Sequence, residues 1–208
     1  MTVDQRNRLA ALLLMSVAAA LLAWLALARR SGATLELDLG IRARVHEWAS
    51  PPMTALARGL ATVGSPTVLT LFFAIAMVAF HRFEWKRAAV TLAQAMAGAI
   101  ICNVGLKRLI HCPRPEPFFG TDPSSYSFPS GHALYSLSFY GVLASVLAAH
   151  APVRAARIAI WVAASFLIAG IGLSRVYLGV HYPSDVIGGY LAAALLIGAV
   201  FALSAGWS

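Results

Sequence analysis

The chain has 208 residues, of which 60% are hydrophobic and only 12% are charged. That charged share is about half that of an ordinary soluble domain, and so many apolar side chains could not all be buried in one soluble core. The formal net charge is +8, but no basic stripe or aromatic platform stands outside the apolar runs, so we expect no nucleic-acid partner and attribute the charge to arginines that flank membrane segments.

Uncharged runs long enough to cross a bilayer, which takes about 20 residues, recur along the chain. The first could instead be a signal peptide, but it is long for a signal core and Arg29-Arg30 follow it directly, so we favour a retained helix. The second is interrupted at Ser65-Pro66. We predict an all-α polytopic membrane protein, a single membrane-embedded domain over residues 1–208, with six transmembrane helices in the runs Leu9–Ala28, Gly59–Phe80, Ala88–Leu106, Ala133–Ala149, Ile158–Ser174 and Val186–Ser208.

The longest connection, Thr34–Gly59, follows the first run. Its first part alternates leucines with Glu36 and Asp38, which allows a surface strand. Ile41, Val45 and Trp48 then recur at helical spacing. We favour an amphipathic helix that lies in the membrane interface and ends before Pro51-Pro52.

Three polar clusters occur at the ends of the later runs: "KRLIHCPRP" (Lys107–Pro115), "PSGH" (Pro129–His132) and "SRVYLGVHYPSD" (Ser174–Asp185). Six spans place all three clusters on the same side of the membrane, opposite both termini. Lys and Arg are nearly as frequent on either side, so the positive-inside rule alone does not orient the protein. Such an exception is expected if several cations on the cluster side serve a function.

The cations Lys107, Arg114 and Arg175 have only hydrogen-bond donors to offer. Without carboxylates to neutralise them they would repel each other, so they require an anion, and phosphate has a suitable charge. In the second cluster, Ser130 is a good N-cap and Gly131 permits close approach of a ligand to the backbone. A helix that begins there presents free N–H groups to an anion.

The third cluster adds a reactive pair, because His181 and Asp185 lie four residues apart at the start of the last run. A carboxylate that accepts a hydrogen bond from one imidazole nitrogen fixes the tautomer and leaves the other nitrogen as a nucleophile. His132, at the edge of the anion site, adds an acid. No cluster has metal-ligand spacing, so we predict no metal and no cofactor.

The pattern K-x6-RP, PSGH and SR-x5-H-x3-D resembles the type 2 phosphatidic acid phosphatase superfamily, which includes membrane lipid phosphatases, glucose-6-phosphatase and vanadium haloperoxidases. The motifs occupy residues 107–185, and every signature position matches. The resemblance implies that His181 attacks phosphorus to form a phosphohistidine, that Asp185 orients it, and that His132 protonates the leaving oxygen and then activates water. It implies that the phosphoryl oxygens are held by Lys107, Arg114, Ser130, Gly131 and Arg175.

The implied activity is metal-independent hydrolysis of a phosphomonoester or diphosphate on a lipid. We favour undecaprenyl diphosphate as substrate, with phosphatidylglycerophosphate or phosphatidic acid next. A phosphotransferase with the same site and a catalytically silent lipid-binding or transport protein remain alternatives. Bacterial members imply a multi-pass protein of the cytoplasmic membrane with cytoplasmic termini, a site that faces the periplasm, membrane lipids as partners and no required protein partner.

Overall fold

The computed structural model describes residues 3–120 and 125–204, and all regular structure in these ranges is helical. This confirms the predicted all-α class. A π-helical turn over Leu137–Gly141 joins the sixth helix to the seventh without a break. The helices are α1 (Val3–Ser31), α2 (Leu35–His46), α3 (Pro51–Val63), α4 (Pro66–Arg82), α5 (Lys86–Ile110), α6 (Gly131–Ser136), α7 (Val142–His150), α8 (Arg154–Tyr177) and α9 (Pro183–Ser204).

Five helical segments in the described part of the chain are long and apolar enough to span a membrane: Leu9–Ser31, Lys86–Ile110, Gly131–His150, Arg154–Tyr177 and Pro183–Leu203. The pair α3 and α4 makes a sixth if the two helices, bent by 51°, are counted together. The predicted runs therefore coincide with helices, while the count of six spans remains a prediction. The last predicted run extends to Ser208, and its residues 205–208 lie outside the described ranges.

The bend between α3 and α4 falls at the predicted interruption. Ser65 caps α4 by accepting a hydrogen bond from Val68 N at 3.3 Å, and Pro66 occupies the first position of the helix, where its missing N–H costs nothing. At the end of α3, the carbonyl of Val63 accepts a hydrogen bond from Tyr140 Oη at 3.0 Å. A carbonyl freed by the break is thus satisfied by the π-helical turn of the neighbouring span.

The first part of the connection after α1 forms the helix α2 and not a strand, as we favoured from the sequence. Its buried face differs from the expected apolar stripe, because Val45 is buried but Ile41 and Trp48 are exposed. The buried face instead carries the charged residues Asp38 and Arg42. Charged groups are buried when they are paired, so this face points to polar partners inside the protein. The location of α2 in the membrane interface remains a prediction.

Helix α9 packs against α1, α5, α6 and α8 and brings the second and third motifs together. At Gly189 a Cβ atom would lie only 2.6 Å from the carbonyl oxygen of Ser130, so a side chain there would separate α9 from the start of α6. The close approach allows Ser130 N to donate a hydrogen bond to the carbonyl of Asp185 at 2.9 Å.

Candidate active site

All eight residues predicted for the site lie at one end of the helix bundle. Lys107 is in the last turn of α5, and Arg114 is in the loop that follows. The second motif forms the N-terminus of α6, and Arg175 lies in the last turn of α8. The nucleophile candidate precedes α9 rather than lying in its first turn, which holds only its carboxylate partner. The structure thus assembles Lys107, Arg114, Ser130, Gly131, His132, Arg175, His181 and Asp185 from four helix ends and two loops.

The imidazole of His181 is buried and is held on both sides. Its Nε2 atom lies 3.0 Å from Arg114 Nη1. A guanidinium group has only donors, so Nε2 accepts this hydrogen bond and the ring proton resides on Nδ1. Nδ1 in turn lies 3.4 Å from Asp185 Oδ2. The arrangement leaves the lone pair of Nε2 on the side of the cations.

The Asp185 carboxylate is fully buried and is held by several donors. Its Oδ2 atom accepts hydrogen bonds from Ser127 Oγ at 2.5 Å and from Tyr182 N at 2.8 Å. Ser127 Oγ also lies 3.3 Å from His181 Nδ1, so this serine bridges the two groups. The Oδ1 atom accepts a hydrogen bond from Arg29 Nε at 3.1 Å. The carboxylate therefore presents one oxygen to the imidazole and the other to a cation.

Burial lowers the pKa of His181 to about 4, and the positive charges of Arg114 and Lys107 act in the same direction. The Asp185 carboxylate acts in the opposite direction, through its hydrogen bond and its charge, but it does not outweigh burial. His181 is therefore neutral at neutral pH, and Nε2 keeps the lone pair that a nucleophile requires.

The three predicted cations form one positively charged cluster. Arg114 is fixed by Nε and Nη2, which donate to the carbonyl and the hydroxyl of Ser125 at 2.7 and 2.9 Å, and by Nη1, which donates to Val180 O at 2.8 Å. Lys107 donates to the carbonyl of Tyr126. Arg114 lies close enough to both Lys107 and Arg175 for the like charges to repel. All three cations are half-buried, so an anion that reaches them meets donors that are already in place.

Ser130 occupies the N-cap position of α6, but its hydroxyl does not cap the helix. Its Oγ atom is buried and has no hydrogen-bond partner among the described residues, and the same holds for Arg175 Nε. Close approach of a ligand to the backbone at Gly131 remains a prediction. A Cβ atom at this residue would lie 3.3 Å from Asn103 Oδ1 and from the ring of Tyr135. Its lack of a side chain therefore serves packing against α5.

His132 lies in the first turn of α6 and is half-buried. Its ring makes a hydrogen bond to the backbone of Ala61 in α3 and lies within electrostatic range of Arg175 and His181. The two histidines thus face one cluster of cations, His132 from α6 and His181 from the loop before α9. This geometry suits one acid and one nucleophile on the same phosphoryl group.

Several polar residues around the site were not predicted from the sequence. Ser127 stands two residues before Pro129, and Arg29 was interpreted as a flanking cation. Arg42 of α2 donates through Nη2 to Glu116 O at 2.7 Å and to Gly179 O at 3.1 Å, and its guanidinium lies 4.4 Å from the centre of the Phe118 ring. It ties the loop of Arg114 to the loop of His181. The one sequence signal for Arg42 was its position in a segment of mixed charge and apolar residues.

Comparison with known proteins places this site in a family. The PAP2 superfamily model matches residues 88–207. The chain is 32% identical over 152 residues to phosphatidylglycerophosphatase B of Bacillus subtilis, with 72% of each protein covered. It is 35% identical over 158 residues to decaprenylphosphoryl-5-phosphoribose phosphatase of Mycobacterium tuberculosis, with 72% of this chain and 79% of that protein covered.

Solved structures with a similar fold come from the same kind of protein as these relatives. The crystal structure of a transmembrane PAP2 type phosphatidylglycerolphosphate phosphatase from Bacillus subtilis superposes with a TM-score of 0.85 at 25% identity, covering 93% of this chain and 97% of that one. LpxE of Aquifex aeolicus shares the fold, with a TM-score of 0.64 at 22% identity over 80% of this chain and 95% of that one. The chain resembles the multi-pass membrane phosphatases among these proteins, and because the family model matches more than half of the chain and includes all three motifs, the chain belongs to the PAP2 superfamily.

Proposed function

We propose that the protein removes a phosphoryl group from a membrane lipid through a covalent phosphohistidine on His181. The observation that carries this proposal is the orientation of the His181 ring. Its Nε2 lone pair faces Arg114 at 3.0 Å, while Nδ1 faces the Asp185 carboxylate. A neutral imidazole held this way beside a cluster of cations is suited to attack an anionic phosphorus centre.

In the first step, the phosphoryl oxygens accept hydrogen bonds from the cation cluster and from Ser130 Oγ. One phosphoryl oxygen replaces His181 Nε2 as the acceptor of the hydrogen bond from Arg114 Nη1. His181 Nε2 forms a bond to phosphorus as the bond from phosphorus to the lipid oxygen breaks. Protonated His132 donates its proton to that oxygen, so a phosphomonoester leaves as the lipid alcohol and a diphosphate leaves as the lipid monophosphate. The positive charge that develops on His181 is stabilised by Asp185.

In the second step, His132 takes a proton from water as the water oxygen attacks phosphorus. The bond from His181 to phosphorus breaks, inorganic phosphate leaves, and both histidines return to their starting states. Side-chain cations balance the charge of phosphate throughout, which is why we propose a metal-independent reaction with no cofactor. Lys107, Arg114, Ser130, Gly131 and Arg175 are the proposed phosphate-binding residues.

The printed names of the relatives support a lipid that bears a terminal phosphate. One relative is named for phosphatidylglycerophosphate and another for a decaprenyl-linked phosphoribose. The second name describes a prenyl carrier, which is the lipid class of undecaprenyl diphosphate. We therefore keep undecaprenyl diphosphate as the favoured substrate and place phosphatidylglycerophosphate beside it, followed by phosphatidic acid.

The proposal is tested by phosphate release from a panel of these lipids by purified protein in the presence of EDTA. We expect release from at least one panel member, unaffected by the chelator and abolished in His181→Ala. Activity that is lost in EDTA and restored by Mg²⁺ or Zn²⁺ would refute the metal-free reaction. Transfer of phosphate to an added alcohol in preference to water would identify a phosphotransferase.

We further propose that the protein resides in the bacterial cytoplasmic membrane, with both termini in the cytoplasm and the site at the periplasmic face. Glu47, after α2, and Ala155, at the start of α8, are exposed and lie at opposite ends of the bundle. In a background without Cys102 and Cys112, Glu47→Cys should react with an impermeant thiol reagent in intact cells. Ala155→Cys should react only after the membrane is opened. The reverse pattern would place the site at the cytoplasmic face.

A further inference from the structure

We propose that Arg29, at the end of α1, is a positioning residue that holds Asp185 in register with His181, and that Asp38 of α2 holds Arg29 in place. This inference rests on the proposed function, because it assigns a role to Asp185 in the phosphoryl transfer. Both residues precede the part of the chain that the family model matches, which begins at residue 88.

The contacts form a closed ring between three helices. Arg29 Nε donates to Asp185 Oδ1 at 3.1 Å, and Arg29 Nη1 lies 3.7 Å from Asp38 Oδ2. Asp38 in turn accepts hydrogen bonds from Ser184 N at 3.0 Å and from Ser184 Oγ at 2.7 Å. Ser184 and Asp185 are neighbours in the first turn of α9. The two charged residues from α1 and α2 therefore hold the backbone and the carboxylate of the same helical turn.

The ring is buried, which distinguishes it from surface ion pairs. Arg29 is 6% exposed and Asp38 is 2% exposed. Burying charges is costly and replacing a buried pair with apolar residues is often stabilising, so stability alone is a weak reason for this arrangement. The guanidinium also lies 4.2 Å from the centre of the Tyr182 ring, next to His181 in the chain. Arg29 is thus packed against the turn that carries the nucleophile.

The geometry specifies what Arg29 does to the carboxylate. With Oδ1 bonded to Arg29, the carboxylate cannot rotate freely about its last bond, and Oδ2 stays directed at Ser127 Oγ and His181 Nδ1. The positive charge of Arg29 also favours the ionised form of Asp185, which must accept the hydrogen bond from His181 Nδ1. The described contacts of the Arg29 side chain are with Asp185, Asp38 and Tyr182 and not with the cation cluster, so it should influence the chemical step and not phosphate binding.

The chain offers a matched control, because Arg30 is adjacent to Arg29 and is exposed. We would compare Arg29→Met with Arg30→Met in steady-state assays on the lipid that gives the highest release. We expect Arg29→Met to lower kcat by about 10- to 100-fold, the range typical of groups that orient a directly acting residue. KM and the inhibition constant for inorganic phosphate should stay within about twofold of the unmodified protein, and Arg30→Met should change none of these.

Conservative variants keep the test decisive if Arg29→Met does not fold. Arg29→Lys retains the charge but lacks the fork that reaches two carboxylates, and Asp38→Asn loosens Arg29 without removing it. Each should fold and lower kcat by less than Arg29→Met, again with KM unchanged. An unaltered kcat in folded Arg29→Met, or in both conservative variants, would overturn the inference. So would a loss confined to KM and thermal stability.

The failure of this inference is distinguishable from failure of the proposed function. If the unmodified protein releases phosphate and His181→Ala does not, the proposed function stands whatever Arg29→Met does. If His181→Ala remains active, the proposed function fails, and a role for Arg29 through Asp185 fails with it.

Discussion

Helix α8 begins at Arg154 and carries Arg175 in its last turn, and the two guanidinium groups have opposite surroundings. Arg154 is exposed, whereas Arg175 is half-buried and its Nε atom is enclosed without a hydrogen-bond partner among the described residues. Buried and half-buried cations occur only at the motif end among the described residues. At the end with the motifs Arg29 and Arg42 are buried and the three site cations are half-buried, although Arg30, Arg44, Arg58 and Arg108 at the same end are exposed. At the opposite end, the described cations of the loops between helices are exposed, namely Arg82, Lys86, Arg87, Arg154 and Arg157.

The difference explains why counting charges does not orient this protein. The exposed cations of the opposite end are accessible to solvent and to lipid headgroups. The site cations Lys107 and Arg175 are each repelled by Arg114, and Arg114 is held in place by hydrogen bonds to the carbonyl groups of Ser125 and Val180. An arrangement that is unfavourable by itself becomes favourable when a phosphate lies between the charges. Substitutions at the two ends of the bundle should therefore differ sharply in effect.

The largest effect is expected for the nucleophile. His181→Ala should lower kcat by about 10⁴-fold or more, as when the attacking group of a covalent mechanism is removed. His150, which stacks on Trp85 at the opposite end of the bundle, provides the control, and His150→Ala should retain normal turnover. Phosphate release from the lipid panel measures both. Comparable activity in the two variants would contradict the assignment of chemistry to the motif end.

The arginines of α8 give the next largest contrast. Arg175→Ala should lower kcat/KM by about 10²- to 10³-fold, because it removes one preorganised donor to the phosphoryl oxygens, worth roughly 3–4 kcal/mol. Arg154→Ala removes the same group from the other end of the same helix and should leave kcat/KM unchanged. Equal losses in both variants would mean that the arginines act only on general membrane attachment.

Lowering the pH should affect the stability of the folded protein through His181 at the motif end and not through His150 at the opposite end. The pKa of His181 is lowered to about 4 in the folded protein, so between pH 6.5 and pH 4 the unfolded chain binds a proton that the folded protein does not. Stability should therefore fall as the pH falls, by about 2 kcal/mol at pH 5. Thermal unfolding in detergent should show a shallower loss for His181→Gln, whereas His150→Gln should follow the unmodified protein. Parallel curves for all three proteins would contradict the burial of a neutral His181.

The smallest effect is expected for the bridging serine. Ser127→Ala removes one of the donors to Asp185 but leaves Tyr182 N and Arg29 in place. A loss of about tenfold in kcat with unchanged KM is expected, the cost of one hydrogen bond to a charged group. The exposed Ser165 in the middle of α8 is the control, and Ser165→Ala should match the unmodified protein.

The helices and the three motifs were predictable because each depends on local sequence. Apolar runs of sufficient length specify the spanning helices, and Pro66 after Ser65 specifies the break between α3 and α4. The eight site residues lie at helix ends or in the adjoining loops, whose common depth follows from alternating spans. Their convergence could therefore be predicted without knowledge of the side-chain contacts.

The surroundings of the site were not predictable, because they depend on contacts between residues far apart in the chain. Arg29 follows an apolar run and resembles any flanking arginine, yet its partner is Asp185. Asp38 and Arg42 occupy a face of α2 that the hydrophobic pattern assigned to apolar residues. The hydrogen bonding of Ser130 was also not predictable. Its backbone has the predicted N-cap position, but its hydroxyl makes no capping hydrogen bond to the helix amides.

The central claim is that His181 carries the phosphoryl group, and trapping that intermediate tests it most directly. Purified protein would be mixed with a lipid substrate labelled with ³²P in the terminal phosphate, quenched in alkali and mapped by peptide analysis. The account predicts an acid-labile, alkali-stable label on the peptide that contains His181, and no label in His181→Ala. Label on another residue, or phosphate release at the normal rate by His181→Ala, would contradict it.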